Sequence, residues 1–371
     1  MKSYSNLWET FISDENIDLS IKSASKGKKK KKRWVNKCLQ DPEFHNIIKK
    51  YAENFYNYKH TPKEIYDGIS RKKRTIIVPR FEEQVIHHMV VNTLMPMFTK
   101  GMYAHSYGSI PKRGGHKGAR QICKWIRTDK KNLKYCCKMD IRKYFDSIPH
   151  DILLRKLRKK IRDDKFFSVL EIIISVTPKG IPLGFYLSQW LANWYLQDFD
   201  HYVKEKLHAK YYIRYMDDMV IFGANKRDLH KIQSAMAGYL ERELGLQMKD
   251  NWQVFLFHYI KKDGMEVGRC LDFMGFKFFR NRITLRKSVM LKIVHKARNI
   301  YKYRKLTIHD ARCMLSYMGW INATNTYQMY LGYIKPYVNI QKCKRIVSRH
   351  DRKENINVSQ LEICREYRQT A

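Results

Sequence analysis

The sequence predicts an α+β fold, with short strands backed by helices through the middle of the chain and helices alone after them. Three observations predict it. Short apolar or β-branched runs end at turn residues, amphipathic helical patterns separate these runs, and only helical spacing recurs after Arg286. The 371 residues, 44% of them hydrophobic, are sufficient to bury a core, which excludes a largely disordered chain.

The first seventy residues are predicted to form a basic, helical N-terminal extension. Lys26–Arg33 is almost entirely positive, which is typical of a flexible basic arm and, less often, of a localisation signal. Residues 34–58 carry apolar side chains at helical spacing. We therefore assign residues 1–70 to this extension.

Residues 71–285 alternate between strand and helix patterns. The predicted strands cover residues 75–78, 135–141, 211–215, 219–222, 254–259, 270–279 and 283–285. The predicted helices cover residues 81–97, 119–127, 151–162, 166–176, 186–206 and 229–244. Residues 101–118, rich in Gly, Ser and Lys, are predicted to form a loop. In the helical remainder, 286–371, one helix is predicted to begin at Thr307, where Asp310 completes a capping box.

The chain is strongly basic, with 73 Lys and Arg against 35 Asp and Glu and a net charge of +38. Such a surplus favours an anionic partner, and nucleic acid is the usual one because phosphate contacts release counterions. No apolar run approaches the ~18 residues of a membrane-spanning helix, and no signal peptide opens the chain. Eight cysteines without Cys-x-x-Cys spacing indicate reduced thiols rather than a zinc site or a disulfide framework. We therefore expect a soluble, cytoplasmic protein that binds nucleic acid and no membrane.

Three aspartates are the candidate catalytic residues. Asp140 ends an apolar strand, and Asp217 and Asp218 lie between two apolar strands in the tetrapeptide Tyr215–Asp218. Carboxylates at such positions are costly to desolvate unless a cation neutralises them. Two Mg²⁺ ions about 4 Å apart, or Mn²⁺ in their place, are what phosphoryl transfer requires. One ion would lower the pKa of an attacking 3′-hydroxyl, and the other would hold a triphosphate and stabilise the departing pyrophosphate.

Ordered blocks between residues 70 and 330 resemble those of reverse transcriptases. In chain order they are Arg71–Pro79, Ser106–Gly115, Met139–Ile148, Leu183–Gln189, Tyr215–Asp218, Leu244–Lys249, Asp272–Phe276 and Ser316–Trp320. The resemblance implies a right-hand polymerase with fingers and palm in residues 71–285 and a helical thumb and tail in residues 286–371. The palm would be an antiparallel sheet backed by helices. The resemblance also implies RNA-directed DNA synthesis from dNTPs by a two-metal-ion mechanism.

The resemblance assigns roles to individual residues. It implies metal binding by Asp140, Asp217, Asp218 and the backbone of Ile141. It implies nucleotide binding by Lys72, Arg74, Phe145, Leu183, Gly184, Gln189 and Lys249. Phe273, Met274 and Gly275 resemble the primer grip, and the basic residues from Arg286 to Lys305 would follow an RNA–DNA duplex by its phosphates. Phe145 matches the steric gate, a ring that would clash with a ribose 2′-hydroxyl.

The segment Leu183–Gln189 resembles one subgroup in particular. Most reverse transcriptases carry Gln-Gly-x-x-x-Ser-Pro here, whereas those of diversity-generating retroelements replace the first Gln with an aliphatic residue and the Pro with Gln. Leu183 and Gln189 match both replacements. Leu183 removes a hydrogen-bonding group near the templating base, which could loosen the checking of base pairs. The resemblance to this subgroup implies error-prone copying of template adenines. The subgroup also implies a retroelement RNA template, mutagenic retrohoming into a target gene, and a small, basic, oligomeric accessory variability protein.

Other interpretations stay open. The chain could be another prokaryotic reverse transcriptase, of a phage-defence or minimal group II intron-like kind. It could also be a non-catalytic RNA-binding or splicing-helper protein, although a scaffold has no need of metal-binding carboxylates. Each motif also has a purely structural interpretation. Asp217 and Asp218 could simply favour a hairpin turn, Phe145 could be a core residue, and Leu183 could pack at the start of a helix.

Overall fold

The computed structural model describes residues 3–28, 33–67 and 72–352, without the side chains of Asp67 and Lys72. Half of the basic run Lys26–Arg33, residues 29–32, lies outside the described residues, as does the predicted nucleotide contact of the Lys72 side chain. The chain divides into two compact units. The first comprises the residues up to Gly118 together with Asp129–Leu256, and the second comprises Ala119–Thr128 together with the chain from Phe257. The predicted boundaries after residues 70 and 285 stay predictions.

The first unit contains most of the helices. They are α1 (Leu7–Phe11), α2 (Asp14–Ser25), α3 (Arg33–Gln40), α4 (Phe44–Glu53), α5 (Phe81–Thr99), the start of α6 (Gly115–Thr128), α7 (Tyr144–Ser147), α8 (His150–Arg158), α9 (Asp164–Ile174), α10 (Tyr186–Tyr195), α11 (Gln197–His201) and α12 (Lys226–Leu244). Its strands are β1 (Pro62–Asp67), β2 (Lys72–Ile77), β3 (Ser106–Tyr107), β4 (Tyr135–Asp140), β5 (Tyr211–Tyr215), β6 (Asp218–Gly223) and β7 (Gln253–Leu256).

A five-stranded sheet forms the centre of the first unit, in the order β3-β5-β6-β4-β7. All its pairs are antiparallel except β3 with β5. The adjacent residues Cys136 and Cys137 point to opposite faces of the sheet, and both are buried, so both faces are covered. Helix α12 packs against β4, β6 and β7, and a layer built around α5 and α10 completes the core. The predicted α+β class, a sheet backed by helices, is confirmed.

The second unit combines short strands with helices. They are β8 (Tyr259–Ile260), β9 (Glu266–Val267), β10 (Leu271–Phe273), β11 (Phe276–Phe278), β12 (Ile283–Leu285), α13 (Lys287–Lys302), α14 (Ile308–Asn322) and α15 (Tyr327–Tyr333), and residues 340–352 are also helical. Strands β10, β11 and β12 form an antiparallel sheet. The capping box at the start of α14, between Thr307 and Asp310, is present as predicted.

Several predicted elements differ from the structure. The single helix expected over residues 186–206 is interrupted at Leu196 and ends in a π-helical turn, Tyr202–Lys206. The loop expected over residues 101–118 contains β3 and the start of α6. Helices α1 and α2 lie within the predicted helical extension, although no helical pattern was located there, and strand β1 was not predicted. Within the described residues, no helix combines the length and apolar character needed to cross a membrane.

Candidate active site

The hairpin of β5 and β6 carries the tetrapeptide Tyr215–Asp218 in its turn. Tyr215 and Asp218 are register partners, so Met216 and Asp217 form a two-residue connection. Met216 has a φ of 54°, a left-handed conformation that costs free energy in a residue with a side chain. Its amide donates a hydrogen bond of 3.1 Å to the Tyr107 carbonyl, which ties the turn to β3. The surrounding structure therefore keeps Met216 in a left-handed backbone conformation that is unfavourable for a residue with a side chain.

Asp140 lies directly across from Asp218. The two residues are register partners at the ends of β4 and β6, and such partners project to the same face with Cβ atoms roughly 4.5–5.5 Å apart. Asp217 adds a third carboxyl group at the tip of the turn. Burial, followed by the charges of Asp140 and Asp218, raises the pKa of Asp217 to about 6, although Lys249 opposes this rise. The structure thus brings the three predicted aspartates into one acidic cluster.

Lys249 is anchored to Asp140 through both backbone and side chain. Its amide donates a 2.8 Å hydrogen bond to the Asp140 carbonyl, and its ammonium group forms an ion pair with Asp140 Oδ2. The neighbouring residues Ile141 and Met248 form an isolated antiparallel bridge, which fixes the backbone of Ile141 beside the cluster. The predicted position of Lys249 near the reacting groups is consistent with this arrangement, and metal binding by the Ile141 backbone stays a prediction.

The acidic cluster is chemically suited to a divalent cation. Carboxylate oxygens are the hard ligands that Mg²⁺ and Mn²⁺ prefer. Asp140 Oδ1 is buried and has no hydrogen-bond partner within the described residues, so it lacks the compensation that a buried oxygen needs. No group of three His, Cys, Asp or Glu side chains in the described part of the chain is arranged to enclose a metal ion. Asp140, Asp217 and Asp218 therefore remain the residues predicted to bind a cation, although in the described part of the chain they do not form a complete coordination site.

Phe145 lies on α7, directly after the strand that ends at Asp140. Its ring is half-buried and contacts Tyr144, with ring centroids 5.6 Å apart. Its carbonyl accepts a 2.8 Å hydrogen bond from the Ile181 amide. A Cβ on Gly180 would come within 2.5 Å of that carbonyl oxygen, so glycine permits this close approach. The backbone of Phe145 is therefore held in place while its ring stays partly exposed, and its role as a steric gate stays a prediction.

The strand that carries Arg74 is joined to the segment that carries Leu183. The Ile77 amide, at the end of β2, donates a 2.8 Å hydrogen bond to the Leu183 carbonyl. Gly184 has a φ of 108°, and a Cβ there would clash with the Ile77 carbonyl oxygen. Arg74 itself is exposed. The structure therefore places Leu183 and Gly184 against β2, whereas the nucleotide contact of Arg74 stays a prediction.

Gln189, in the first turn of α10, is tied to the loop that follows β3. The Ser109 hydroxyl donates a 2.9 Å hydrogen bond to Gln189 Oε1. Ser109 adopts a left-handed φ of 53°, so the loop is strained where it meets the helix. The predicted nucleotide contact of Gln189 is untested, but its side chain holds a defined position.

A buried polar network beneath the turn was not identified from the sequence. Arg214 and Asp200, each with only 1% of its side chain exposed, form an ion pair with Nη2 and Oδ2 2.5 Å apart. The signal that could have revealed it is an arginine within the otherwise uncharged strand Tyr211–Tyr215, because an unpaired arginine is almost never fully buried. The partner could not be chosen from the sequence.

The predicted primer grip lies in the second unit. Phe273 and Phe276 are register partners, and the two residues between them, Met274 and Gly275, both have positive φ, of 51° and 85°. Positive φ at both positions is the pattern of a type I′ hairpin turn. A Cβ on Gly275 would come within 2.9 Å of the Trp320 ring. The turn is therefore tightly packed against α14, and its contact with a primer stays a prediction.

A family model described as "Reverse transcriptase (RNA-dependent DNA polymerase)" matches residues 59–278. The matched span is more than half of the chain, and it contains the acidic cluster, Phe145 and the segment Leu183–Gln189.

Known proteins are similar over part of their length. Protein YkfC from Escherichia coli (strain K12) is 24% identical over 221 residues, which cover 48% of this chain and 58% of that protein. The retron Ec73 reverse transcriptase from Escherichia coli is 25% identical over 207 residues, 50% of this chain and 61% of that protein. The chain therefore spans about three fifths of the length of these relatives. A solved telomerase from Candida albicans, in complex with a TWJ fragment of telomeric RNA, is 12% identical with a TM-score of 0.47, over 82% of this chain and 61% of that one.

Proposed function

This chain belongs to the reverse transcriptase family, and from that premise we propose that it is an RNA-directed DNA polymerase whose reaction takes place at the acidic cluster. The observation that carries the proposal is the register pairing of Asp140 with Asp218 beside Asp217. An RNA-binding scaffold has no need of three clustered carboxyl groups, in which burial and then the charges of Asp140 and Asp218 raise the pKa of Asp217 to about 6. Three carboxyl groups beside a single lysine are suited to binding divalent cations, which in turn could bind the phosphates of a nucleotide.

In the proposed reaction, the 3′-hydroxyl of a primer attacks the α-phosphorus of a dNTP. A 3′–5′ phosphodiester bond forms, the bond between the α- and β-phosphates breaks, the hydroxyl proton is released, and pyrophosphate leaves. Two bound Mg²⁺ ions would supply charge neutralisation and activation of the hydroxyl. The chain's own residues would orient the reactants: Asp140, Asp217 and Asp218 hold the cations, Lys249 lies beside Asp140, and Phe145 bounds the sugar. These are the roles that the resemblance to reverse transcriptases implies, and the pairing of Asp140 with Asp218 and with Lys249 supports them.

Primer extension on an RNA template with Mg²⁺ and dNTPs tests the proposal. Asp218→Asn keeps the size of the side chain but removes its charge, so extension should fall by roughly a thousandfold or more. Asp228→Asn is the matched control, because Asp228 is an exposed aspartate of the same unit, on α12. It should extend primers at the wild-type rate. If folded Asp218→Asn extended primers at the wild-type rate, the proposed enzyme activity at this site would be refuted.

We further propose that the enzyme belongs to a diversity-generating retroelement and copies template adenines with errors. The residue types at positions 183 and 189, Leu and Gln, support this proposal. Sequencing the cDNA made from a cognate RNA is the test. Leu183→Gln should restore an amide that checks the base pair, and adenine-specific errors should fall roughly tenfold. Unchanged adenine errors in this variant would show that position 183 does not set fidelity.

The partners follow as proposals from the same assignment. The net charge of +38 supports binding of template RNA and of the RNA–DNA product. A small, basic, oligomeric accessory variability protein is the further partner that this subgroup would use. Adding a candidate accessory protein to the sequencing assay tests for it, since cDNA yield or adenine errors should rise.

A second candidate is another prokaryotic reverse transcriptase, of a phage-defence or minimal group II intron-like kind. The similarity to the retron Ec73 enzyme favours it. Template adenines copied as accurately as the other bases, with or without accessory protein, would favour this candidate over the diversity-generating one.

A further inference from the structure

We propose that Arg214, held in place by Asp200, is a positioning residue that sets the geometry of the catalytic turn. The inference rests on the proposed polymerase function of the same site. It assigns a role to the buried pair Arg214 and Asp200, neither of which was identified from the sequence.

The Arg214 guanidinium forms a two-point contact with Asp200. Arg214 Nε lies 2.8 Å from Asp200 Oδ1, and Nη2 lies 2.5 Å from Oδ2. The Tyr212 hydroxyl donates a 2.8 Å hydrogen bond to the same Oδ1. Parallel contacts of this kind fix the orientation of the guanidinium plane as well as its position.

The remaining guanidinium nitrogen reaches the turn. Arg214 Nη1 donates a 3.0 Å hydrogen bond to the carbonyl of Met216, the residue whose φ is 54°. The Met216 amide is held from the other side by the Tyr107 carbonyl at 3.1 Å. Both polar groups of this strained residue are therefore bound. Asp217 and Asp218 follow directly, so the direction of both carboxylates depends on how Met216 is held.

Asn193, on α10, connects this network to the segment predicted to contact the template. Asn193 Nδ2 lies 3.1 Å from the Gly108 carbonyl and 3.2 Å from Met216 Sδ, and Asn193 Oδ1 accepts from Arg214 Nη1 at 3.4 Å. The same Nδ2 is 3.1 Å from the carbonyl of Gln189. One continuous set of hydrogen bonds thus runs from Gln189 to the turn.

Stability alone does not explain a pair buried this deeply. Both ions lose their hydration, and replacing such a pair with apolar side chains of similar volume is often neutral or stabilising. The pair does supply a rigid donor at the Met216 carbonyl. Apolar side chains at positions 200 and 214 cannot donate a hydrogen bond to the Met216 carbonyl, so they would not hold Met216 in its left-handed conformation.

The test is a triple variant, D200L/Y212F/R214M, which removes the pair together with the hydroxyl that would lose its acceptor. It should unfold within about 5 °C of the wild type, whereas kcat for primer extension should fall roughly 10- to 100-fold with KM for dNTP nearly unchanged. In protein labelled at its methionine methyl groups, the NMR signal of Met216, assigned with Met216→Leu, should shift or broaden.

Asn16→Ala is the matched control, because Asn16 is also a buried side chain that donates to main-chain carbonyls, those of Phe11 and Met89. It should lower Tm and leave kcat unchanged. If the triple variant does not fold, Arg214→Lys replaces it: a lysine keeps the charge but cannot donate to Asp200 and Met216 in the same geometry, so kcat should still fall.

A folded triple variant, or a folded Arg214→Lys, with kcat within twofold of the wild type overturns the inference. Failure of the wild type to extend primers would instead refute the proposed function. In that case the Met216 signal decides the positioning role on its own, and an unshifted, sharp signal in the triple variant overturns it.

Discussion

The Ile77 amide donates a 2.8 Å hydrogen bond to the Leu183 carbonyl, and this contact joins two segments that lie more than a hundred residues apart in the chain. It brings the end of β2 against the segment Leu183–Gln189. Gly184 makes the approach possible, since its φ is 108° and a Cβ would clash with the Ile77 carbonyl.

Gly184→Ala is expected to damage the site specifically. The added methyl group must push β2 away and strain the backbone, so the free energy of unfolding should fall by about 1 kcal/mol or more and KM for dNTP should rise. Gly319→Ala is the control, because a Cβ at Gly319 in α14 meets nothing within 4 Å. That change should stabilise the protein by about 0.4–1 kcal/mol. Steady-state extension kinetics and urea unfolding measure both, and a Gly184→Ala protein with wild-type KM would contradict the assignment.

Phe145→Ala is expected to admit ribonucleotides. Removing the half-buried ring opens space where a 2′-hydroxyl would otherwise clash, so the preference for dNTP over NTP should fall roughly tenfold or more. Single-nucleotide incorporation, compared for dATP and ATP, measures the ratio. Tyr56→Ala removes an exposed ring elsewhere in the unit and should leave the ratio unchanged. Undiminished discrimination in Phe145→Ala would assign Phe145 to core packing.

The stability of the metal-free protein should depend on pH through Asp217. The pKa of Asp217 is about 6 in the folded protein and 3.8 when unperturbed, so between these values the folded state holds a proton that the unfolded chain has released. The free energy of unfolding should therefore fall as pH rises from about 4 to about 6, by at most roughly 3 kcal/mol. The groups facing Asp217 are the carboxylates of Asp140 and Asp218, which raise its pKa, and Lys249, which lowers it.

In Asp217→Asn, the free energy of unfolding should not show this decrease between about pH 4 and pH 6, because asparagine does not titrate. In urea unfolding with EDTA, the variant should be more stable than the wild type at pH 8, and the two should converge near pH 4. Asp228→Asn, at an exposed position, should show no such convergence. A constant difference between Asp217→Asn and the wild type across this range would contradict the raised pKa.

Helix α13 should bind nucleic acid through its exposed basic face. Residues 286–305 carry eight Lys and Arg side chains and no Asp or Glu, and Lys292 and Arg298 are exposed on the helix. Replacing either with Ala should reduce the slope of log affinity against log salt by about 1 for an RNA–DNA duplex. Lys296→Ala is the control, because Lys296 is engaged by Asp310. It should leave the salt slope unchanged, and an equal effect of all three variants would argue against a defined binding face.

The sequence was most informative where local pattern determines structure. The strands β4, β5 and β6 and the helices α5 and α12 lie close to their predicted positions, because apolar periodicity identifies such elements. The interruption at Leu196 was missed, since apolar spacing continues through it. Strand β1 was missed because it has no alternating apolar pattern, and its residues 62–66 are exposed.

The same distinction holds at the candidate site. Asp140, Asp217 and Asp218 were recognised from local motifs, and their proximity follows from the pairing of β4 with β6. Asp200 and Arg214 were not recognised, because only the tertiary structure shows that an acid on α11 and a base on β5 meet in the core. Likewise, the need for glycine at position 184 comes from Ile77, which no local pattern links to it.

The division of helix α6 bears on how the chain is made. Residues 119–128 cluster with the chain beyond Phe257, and Ile122, Trp125 and Ile126 are buried there. A ribosome synthesises this segment well before it reaches residue 257. The contacts that assign residues 119–128 to the second unit can therefore form only after the chain beyond Phe257 has been made, so we expect this segment to reach its native packing late in folding.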